Sequence, residues 1–164
     1  MSIESAYIWM DGEFVPFHDA KVHILSHSLH YGLGVFEGIR SYEQPGGGGG
    51  VFKLDEHLRR LLDSAKMCRM DVQYSLEELR EACLATLAKN EFSSAYIRPL
   101  VHLGMGGMGL GARNNPVHTS VTSGSGVRTS EMTASATVSA WRPVRSPGIT
   151  STRTCSAPRS RVTT

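Results

Sequence analysis

Three histidines lie close together in the N-terminal part of the chain, and imidazole is a common ligand of metal ions. His23, His27 and His30 would share one face of a helix, which is a spacing that could hold a metal. Ser26, Ser28, Tyr31 and Gly32 make a helix unfavourable here, and no carboxylate stands beside the histidines in sequence. We therefore expect histidines that support the structure rather than a metal site.

A glycine-rich segment, GMGGMG at residues 104–109, matches the GxGxxG fingerprint of dinucleotide-binding proteins. It follows a predicted strand, but Leu110 and the Asn-Asn-Pro run after it indicate a loop. The helix N-terminus that binds pyrophosphate in that fold is missing, so we reject a dinucleotide site. We expect instead a flexible loop that lines an apolar pocket, because thioethers adapt to varied aliphatic shapes.

Aromatic hydroxyls and arginines are interleaved near predicted turns in a third group of motifs. These are HYG at 30–32, FEGIR at 36–40, EHLRRL at 56–61 and YIRP at 96–99. An arginine is usually a solvated surface charge, but Arg98 stands in mid-strand beside Tyr96 within an apolar stretch. Because an unpaired buried charge is costly, Arg98 is expected to have an anionic partner. This group is the most informative of the three.

The segments around these motifs predict strands. Asp11-Gly12 between two short apolar runs predicts a hairpin, because the favoured turn needs positive φ at both central residues. Residues 35–42 and 51–53 are expected to be strands joined by the glycine loop 46–50. Residues 95–103 predict a further strand, in which Pro99 marks an edge or a bulge because it lacks an N–H group.

Two amphipathic helices are predicted between these strands. Asp55 can cap a helix that carries an apolar face of Leu58, Leu61, Leu62 and Ala65. Ser75 and Glu78 form a capping box that begins a second helix, which ends near Asn90. Strands combined with two helices predict a two-layer α/β (α+β) domain.

Composition divides the chain near Gly124. Glu131 is the sole acidic residue after that point, and residues 124–164 are rich in Ser, Thr, Arg and Pro without helical or strand periodicity. Such a segment cannot bury enough apolar area to offset its chain entropy. We therefore predict a folded domain at residues 1–123 and a poorly ordered tail at residues 124–164.

Charge and cysteine content exclude several classes of protein. The net charge of +2 and the pI of about 8.5 are too mild to indicate nucleic-acid or membrane binding. Three cysteines are too few for a disulfide framework or a zinc site. No apolar run reaches the roughly 18 residues of a membrane helix, and no signal peptide is recognisable. These features predict a cytoplasmic protein without a metal.

Four of the motifs, taken in order, identify a family. DAKVHILSHSLHYGLGVFEGIR, DEHLRRLLDSAK, SSAYIRPL and GGMGLG resemble the small N-terminal domain of branched-chain amino acid aminotransferase, a fold-type IV enzyme that depends on pyridoxal 5'-phosphate. The resemblance runs from about Tyr7 to Ser123. D-Amino acid aminotransferase and aminodeoxychorismate lyase are related enzymes whose motifs fit less well.

The resemblance implies roles for particular residues. Arg60 resembles the arginine that grips the cofactor phosphate, through the bidentate fork that a guanidinium offers, while Arg59 is its exposed neighbour. The resemblance also implies substrate-binding positions, namely Tyr31, Phe36, Tyr96, Arg98, Met108 and Leu110. Of these, Arg98 is the residue that helps the pocket accept glutamate. Met108 and Leu110 resemble loop residues that reach into a neighbouring subunit, which implies a homodimer or a larger oligomer.

The same resemblance implies a reaction and a missing residue. Members of the family transfer the amino group of Leu, Ile or Val to 2-oxoglutarate, and a lysine of the large C-terminal domain forms the Schiff base with the cofactor. This chain has only Lys21, Lys53, Lys66 and Lys89, all within the small domain. We therefore expect the large catalytic domain and a catalytic residue to be absent, and the chain to be inactive alone. The alternative is a non-catalytic regulator or pseudoenzyme that pairs with the full-length enzyme.

The composition change also has a form that suggests a shifted reading frame. Permitted codons for Ser123 to Glu131, read from the third base of codon 123, give Trp-Glu-Trp-Gly-Ala-Tyr-Leu-Gly. The family typically continues with a similar run. We therefore expect that a one-base loss near codon 123 produced an out-of-frame tail.

Overall fold

The computed structural model describes residues 4–111 and 114–125 of the chain. They belong to a compact unit, Met1–Arg128, whereas a second unit, Thr129–Thr164, lies outside the described residues. The described strands are β1 Tyr7–Met10, β2 Glu13–Pro16, β3 Gly34–Phe36, β4 Ile39–Glu43, β5 Gly49–Val51, β6 Ala95–Leu103 and β7 Val117–Ser125. The described helices are α1 His27–Tyr31, α2 Leu54–Met67 and α3 Leu76–Lys89, with a 3-10 turn at Phe17–Asp19.

The described strands form one antiparallel sheet in the order β2-β1-β7-β6-β4-β5, and β3 also pairs with β6. The β1–β2 hairpin turns at Asp11 and Gly12 with φ values of 47° and 97°, which confirms the predicted turn. Asp11 also ties this turn to the sheet, because its Oδ1 accepts a hydrogen bond of 2.8 Å from the Thr119 N–H group.

The predicted strand over residues 35–42 is divided in two. β3 pairs Phe36 with Leu100, and β4 resumes the same register by pairing Ile39 with Ile97. Between them the chain runs opposite Pro99, which cannot donate a hydrogen bond to a neighbouring strand. The prediction that Pro99 marks an edge or a bulge was wrong: β6 is flanked on both sides and keeps its register there, and the break in its neighbour accommodates the missing donor.

The following strand also differs from the expectation. β5 begins within the glycine run, because Gly49 and Gly50 pair with Glu43 and Tyr42. β5 ends at Val51, the Phe52 N–H group donates a hydrogen bond of 3.0 Å to the Arg40 carbonyl oxygen, and Lys53, with a φ of 48°, is the N-cap residue of α2. The predicted strand at residues 51–53 was therefore placed too late, and the predicted loop at 46–50 was too long.

Helices α2 and α3 cover one face of the sheet and enclose the core. The core includes Leu58 and Leu61 of α2, Leu79 of α3, and Ile97 and Val101 of β6, all of them fully buried. Burying each such side chain contributes about 1.5–3 kcal/mol. This confirms the predicted two-layer arrangement of helices on a sheet.

The two long helices begin differently. Ser75 accepts a hydrogen bond from the Glu78 backbone and Glu78 accepts one from the Ser75 N–H group, which confirms the predicted capping box. Asp55 does not cap α2; it lies in the first turn and forms an ion pair with Arg80 of α3. The prediction failed because a long-range partner took the carboxylate.

The described part of the chain ends inside a strand. Gly124 and Ser125 pair with Tyr96 and Ala95, so β7 extends two residues into the segment predicted to be the tail. The rest of the predicted tail, residues 126–164, lies outside the described residues. Within the described ranges, no helix is long and apolar enough to cross a membrane.

Candidate functional site

Side chains of the sheet that point away from the helices share a surface, which we call the open face. Along β6 the residues alternate, so that Ile97 and Val101 enter the core while Tyr96 and Arg98 lie on the other side. The register places Arg40 beside Tyr96, and Phe36 beside Leu100, on this same side. The open face is defined by Phe36, Arg40, Tyr96, Arg98 and Leu100. It thus collects three of the predicted substrate residues.

A cation between two aromatic rings is the central feature of the open face. The Cζ atom of Arg98 lies 4.7 Å from the ring centre of Phe36 and 5.2 Å from that of Tyr96. Its Nη2 also donates a hydrogen bond of 2.9 Å to the Tyr96 hydroxyl oxygen. Such contacts hold the guanidinium in place without neutralising its charge.

The predicted environment of Arg98 was therefore wrong. The side chain is exposed, not buried in apolar surroundings, and no carboxylate of the described residues is paired with it. The error came from reading the whole strand as buried, whereas the alternation of a one-sided strand turns every second residue to the open face. Aromatic stacking, not an ion pair, orients this arginine.

Arg60 lies on α2 and contacts the break between β3 and β4. Its Nε and Nη2 atoms each donate a hydrogen bond of 2.6 Å to Glu37, one to each carboxylate oxygen. His57, three residues earlier on the helix, places Nδ1 3.0 Å from the Glu37 Oε2 atom. Glu37 therefore occupies one edge of the guanidinium that was expected to bind a phosphate through two parallel hydrogen bonds. Arg59 is exposed, as predicted.

The electrostatics of this cluster follow from the same contacts. The Glu37 carboxylate is only 8% exposed, whereas the Arg60 side chain is 66% exposed. The hydrogen bond from Arg60 is the main reason that the pKa of Glu37 is lowered; burial acts in the opposite direction and His57 lowers it further. Glu37 is thus an ionised carboxylate inside the fold, with an outward-facing cation attached to it.

The histidines near α1 contact backbone groups of neighbouring segments. His27 is buried, and its Nε2 lies 2.9 Å from the Gly109 carbonyl oxygen of the glycine-rich loop. His30 contacts the Ile24 carbonyl oxygen at 2.9 Å, and His23 accepts a hydrogen bond from the Leu25 N–H group. Among the residues that the structure describes, no cluster of His, Cys, Asp or Glu could hold a metal ion.

Helix α1 itself was not expected. It spans five residues between Ser26 and Gly32, and Gly32 ends it with a φ of 71°. Of the four residues taken as obstacles to a helix, Ser26 and Gly32 are its boundaries, whereas Ser28 and Tyr31 lie within it. His23 lies outside it, so the three histidines do not share a helical face. Tyr31, at its last turn, stacks on His27 with ring centres 4.4 Å apart.

The glycine-rich loop is fixed by a side chain that sequence reasoning did not single out. Asn115 accepts a hydrogen bond of 2.8 Å from the Gly107 N–H group. A Cβ atom at Gly106 would come within 2.4 Å of the Asn115 Oδ1 atom, which explains the glycine there. Met108 and Leu110 project from this loop and are 52% and 92% exposed. Up to residue 111, where the description of this segment pauses, the loop contains a turn and no helix, so the fingerprint match has no counterpart there.

A small apolar depression lies between α1 and the open face. Its lining includes Val22, Leu29, Phe36, Leu100 and His102, and it has a volume of about 250 Å³. Met108 and Leu110 do not line it, so within the described residues the predicted site residues do not all meet at one cavity. Phe36, Tyr96 and Arg98 are brought together, whereas Arg60, Tyr31 and the loop residues occupy separate places around them.

Sequence reasoning missed Glu37, Gly38 and His57. All three belong to the quoted motifs FEGIR and EHLRRL, but the reasoning assigned function to the arginines and aromatic residues alone. The available signal was an acidic residue inside a predicted strand, which needs a partner when it is buried.

Comparison with known proteins defines the class. Residues 34–158 match the family described as amino-transferase class IV, and the chain belongs to that family. A curated relative from Pseudomonas aeruginosa, named branched-chain-amino-acid aminotransferase, is 48% identical over 118 residues. The relative of the same name from Escherichia coli K12 is 54% identical over 104 residues. The family resemblance inferred from the motifs is thereby confirmed.

Solved structures agree with these relatives. The crystal structure of Escherichia coli branched-chain amino acid aminotransferase matches with a TM-score of 0.70 and 46% identity, over 75% of this chain and 40% of that one. The T.th. enzyme of the same name, solved with pyridoxamine 5'-phosphate, matches with a TM-score of 0.73 and 43% identity, over 76% and 42%. The matches cover 72% and 63% of this chain, but only 38% and 33% of the two curated relatives.

Proposed function

We propose that this chain is the part of a branched-chain amino acid transaminase that binds the substrate side chain and the cofactor phosphate. The whole enzyme would transfer the amino group of Leu, Ile or Val to 2-oxoglutarate with pyridoxal 5'-phosphate. The single observation that carries the proposal is the exposed Arg98 guanidinium between the rings of Phe36 and Tyr96. The names of the relatives support the same assignment.

The chemistry of the open face suits such a pair of substrates. One substrate presents an aliphatic side chain, and the other presents a carboxylate at the same position. The rings of Phe36 and Tyr96 offer apolar surface to the first, while the Arg98 guanidinium offers charge-assisted hydrogen bonds to the second. Because Arg98 is held by ring contacts instead of a carboxylate, its charge remains available to a ligand.

The donor set at Arg60 suits a phosphate monoester. Its side chain is mostly exposed and carries a full positive charge, which Glu37 fixes at one edge only. Pyridoxal 5'-phosphate, when bound, supplies the electron sink that amino-group transfer needs. In this proposal Arg60 binds and orients the phosphate, and the open face orients the substrate side chain.

The lysines of the chain support the proposal that this stretch is inactive alone. Lys53 and Lys66 lie at the two ends of α2, and Lys89 lies at the end of α3. Lys89 packs over the rings of Tyr7 and Phe14. Lys21 lies 3.9 Å from an Asp19 oxygen. None of the four is placed among the open-face residues.

Exposed apolar side chains support association with a second copy of the chain. Ile24, Leu29, Tyr31, Met108 and Leu110 are all more than 40% exposed. Apolar side chains left on a surface in such numbers favour a protein interface. A homodimer or larger oligomer built on them is part of this proposal. They equally suit the alternative, a non-catalytic regulator that pairs with the full-length enzyme.

An NMR titration of the isotope-labelled chain tests the proposal. We expect 2-oxoglutarate and 4-methylvalerate to shift the signals of Phe36, Tyr96 and Arg98. R98Q should weaken 2-oxoglutarate binding about tenfold and leave 4-methylvalerate binding nearly unchanged. The reason is that the guanidinium binds the side-chain carboxylate of 2-oxoglutarate, in whose place 4-methylvalerate has an aliphatic group. The matched control is R69Q, which removes an exposed arginine elsewhere.

Three outcomes would argue against it. Shifts spread over the helix side would place the ligands elsewhere, and equal loss of both ligands in R98Q would remove the proposed division of roles. The same chain incubated with leucine, 2-oxoglutarate and the cofactor should form no glutamate. Glutamate formation would contradict the proposed need for a lysine outside this stretch and would favour activity of the chain itself.

A further inference from the structure

The two hydrogen bonds to Glu37 constrain the Arg60 side chain more than the side chain of an exposed arginine is normally constrained. Two parallel hydrogen bonds of 2.6 Å, one from Nε and one from Nη2, fix both the position and the plane of the guanidinium. Within the described residues, no hydrogen bond involves Nη1. The two bonds to Glu37 therefore leave the Nη1 group available to a ligand.

His57 completes the arrangement from the same helix. Its Nδ1 atom lies 3.0 Å from Glu37 Oε2 and 3.2 Å from Arg60 Nη2, so the ring touches both members of the pair. Residues three apart on a helix are neighbours, which lets His57 and Arg60 approach one carboxylate together. The His57 side chain is 22% exposed and shields this side of the pair from water.

Glu37 is itself anchored to the central strand. Its backbone N–H group donates a hydrogen bond of 3.1 Å to the Pro99 carbonyl oxygen, inside the break between β3 and β4. Its side chain is 8% exposed. A carboxylate fixed in this way ties the arginine of α2 to β6, the strand that carries Tyr96 and Arg98.

We propose that Glu37 and His57 are positioning residues that aim the Nη1 group of Arg60 at a phosphate monoester. This inference rests on the proposed function, since it deepens the role given there to Arg60. The phosphate would then meet the Nη1 end of the guanidinium, which Glu37 does not hold.

A simpler role for Glu37 makes the opposite prediction. If the carboxylate only neutralised Arg60, its removal would strengthen phosphate binding, because a negative charge near the ligand would be lost. If it positions Arg60, its removal frees the guanidinium to rotate and weakens binding. The sign of the change in affinity therefore separates the two roles.

The experiment measures binding of pyridoxamine 5'-phosphate and of pyridoxamine to the full chain by NMR titration. Neither probe carries an aldehyde, so neither reacts with the lysines. The variants are E37Q, which removes the charge, E37D, which keeps the charge but shortens the reach, R60Q and H57Q. The matched control is D55N, because Asp55 on the same helix forms an ion pair of the same kind with Arg80.

We expect E37Q and E37D to bind pyridoxamine 5'-phosphate about tenfold more weakly than the original chain does, with pyridoxamine binding unchanged. H57Q should weaken it in the same direction. D55N should bind both probes as the original chain does. The Nε–H signal of Arg60 should exchange slowly with water in the original chain and in D55N, and rapidly in E37Q.

Each contrary result has a separate meaning. Equal or tighter binding of pyridoxamine 5'-phosphate by E37Q, or equal loss of both probes, would overturn the positioning role. If R60Q alone lost phosphate binding, that role would fail while the proposed function survived. If R60Q bound as the original chain does, or the original chain bound neither probe, the assignment of Arg60 and this inference would fail together.

Discussion

Gly38 lies against the ring of Tyr96 so closely that a Cβ atom at position 38 would stand 2.5 Å from the tyrosine hydroxyl oxygen. That hydroxyl accepts the hydrogen bond from Arg98. The residue before Gly38 is Glu37, which holds Arg60. The short break between β3 and β4 therefore contacts two side chains of the candidate site. Gly38 packs against Tyr96 on the open face, and Glu37 holds Arg60 of α2.

The first prediction concerns this close approach. G38A should push the Tyr96 hydroxyl away from Arg98 and weaken 2-oxoglutarate binding by about 1 kcal/mol, the usual value of one hydrogen bond. NMR titration measures the affinity. G46A is the matched control, because a Cβ atom there meets nothing within 4 Å. Unchanged affinity in G38A would show that the Tyr96–Arg98 contact does not support the site.

Acidification should lower the free energy of unfolding by the part that depends on the ionised Glu37 carboxylate. The pKa of Glu37 is lowered in the folded chain, mainly by its hydrogen bond from Arg60, relative to an ordinary value of 4.5. A lowered pKa in the folded state stabilises the protein above the unfolded pKa, and this stabilisation is lost as pH falls through the folded pKa.

The corresponding measurement is urea unfolding of the original chain and of E37Q at pH 7 and near pH 3. The free energy of unfolding should differ between the two proteins at pH 7, and the difference should shrink on acidification. D55N controls for the loss of an exposed ion pair. A difference that did not change with pH would mean that ionisation of Glu37 contributes nothing to stability.

Packing of the helices on the sheet predicts a contrast between two leucines. Leu61 of α2 is fully buried, whereas Leu84 of α3 is 46% exposed. L61A should lower the free energy of unfolding by about 2–5 kcal/mol, because it leaves a cavity in the core. L84A should lower it by less than about 1 kcal/mol. Chemical denaturation followed by circular dichroism compares them, and similar losses would contradict the two-layer core.

The composition change near Gly124 leads to a prediction about the encoding DNA. We propose that residues 124–164 are translated out of frame. Sequencing the encoding DNA from about codon 115 should then reveal, in the frame that begins at the third base of codon 123, a Trp-Glu-Trp-Gly-Ala-Tyr-Leu-Gly run. A lysine-bearing large domain should follow it. If neither neighbouring frame encodes family sequence, the tail is genuine and the regulator alternative gains support.

Local interactions explain what the sequence could predict. The Asp11-Gly12 turn and the Ser75–Glu78 capping box each depend on residues within a few positions of one another, and both were predicted correctly. Asp55 was predicted to cap α2, which is also a local role. Its carboxylate instead pairs with Arg80, which is 25 positions away. Long-range pairing overruled local preference there.

The candidate site was predictable only where a motif named its residues. Phe36, Tyr96 and Arg98 were found through the family resemblance, and strand register places them together. Glu37 and His57 were not found, because the partners of a buried carboxylate depend on how α2 crosses the sheet. The spacing of residues within each motif gives no information about where α2 crosses the sheet.

The central claim is that Arg60 and Arg98 serve the two ends of one cofactor–substrate pair. N-(5'-Phosphopyridoxyl)-L-glutamate, which is bound in one of the matching T.th. structures, joins a cofactor phosphate to a glutamate side chain. The most direct measurement is a crystal structure of this chain with that compound. We expect the phosphate at Arg60 Nη1 and the side-chain carboxylate at Arg98. A compound that contacts neither arginine, or one of them alone, would contradict this claim.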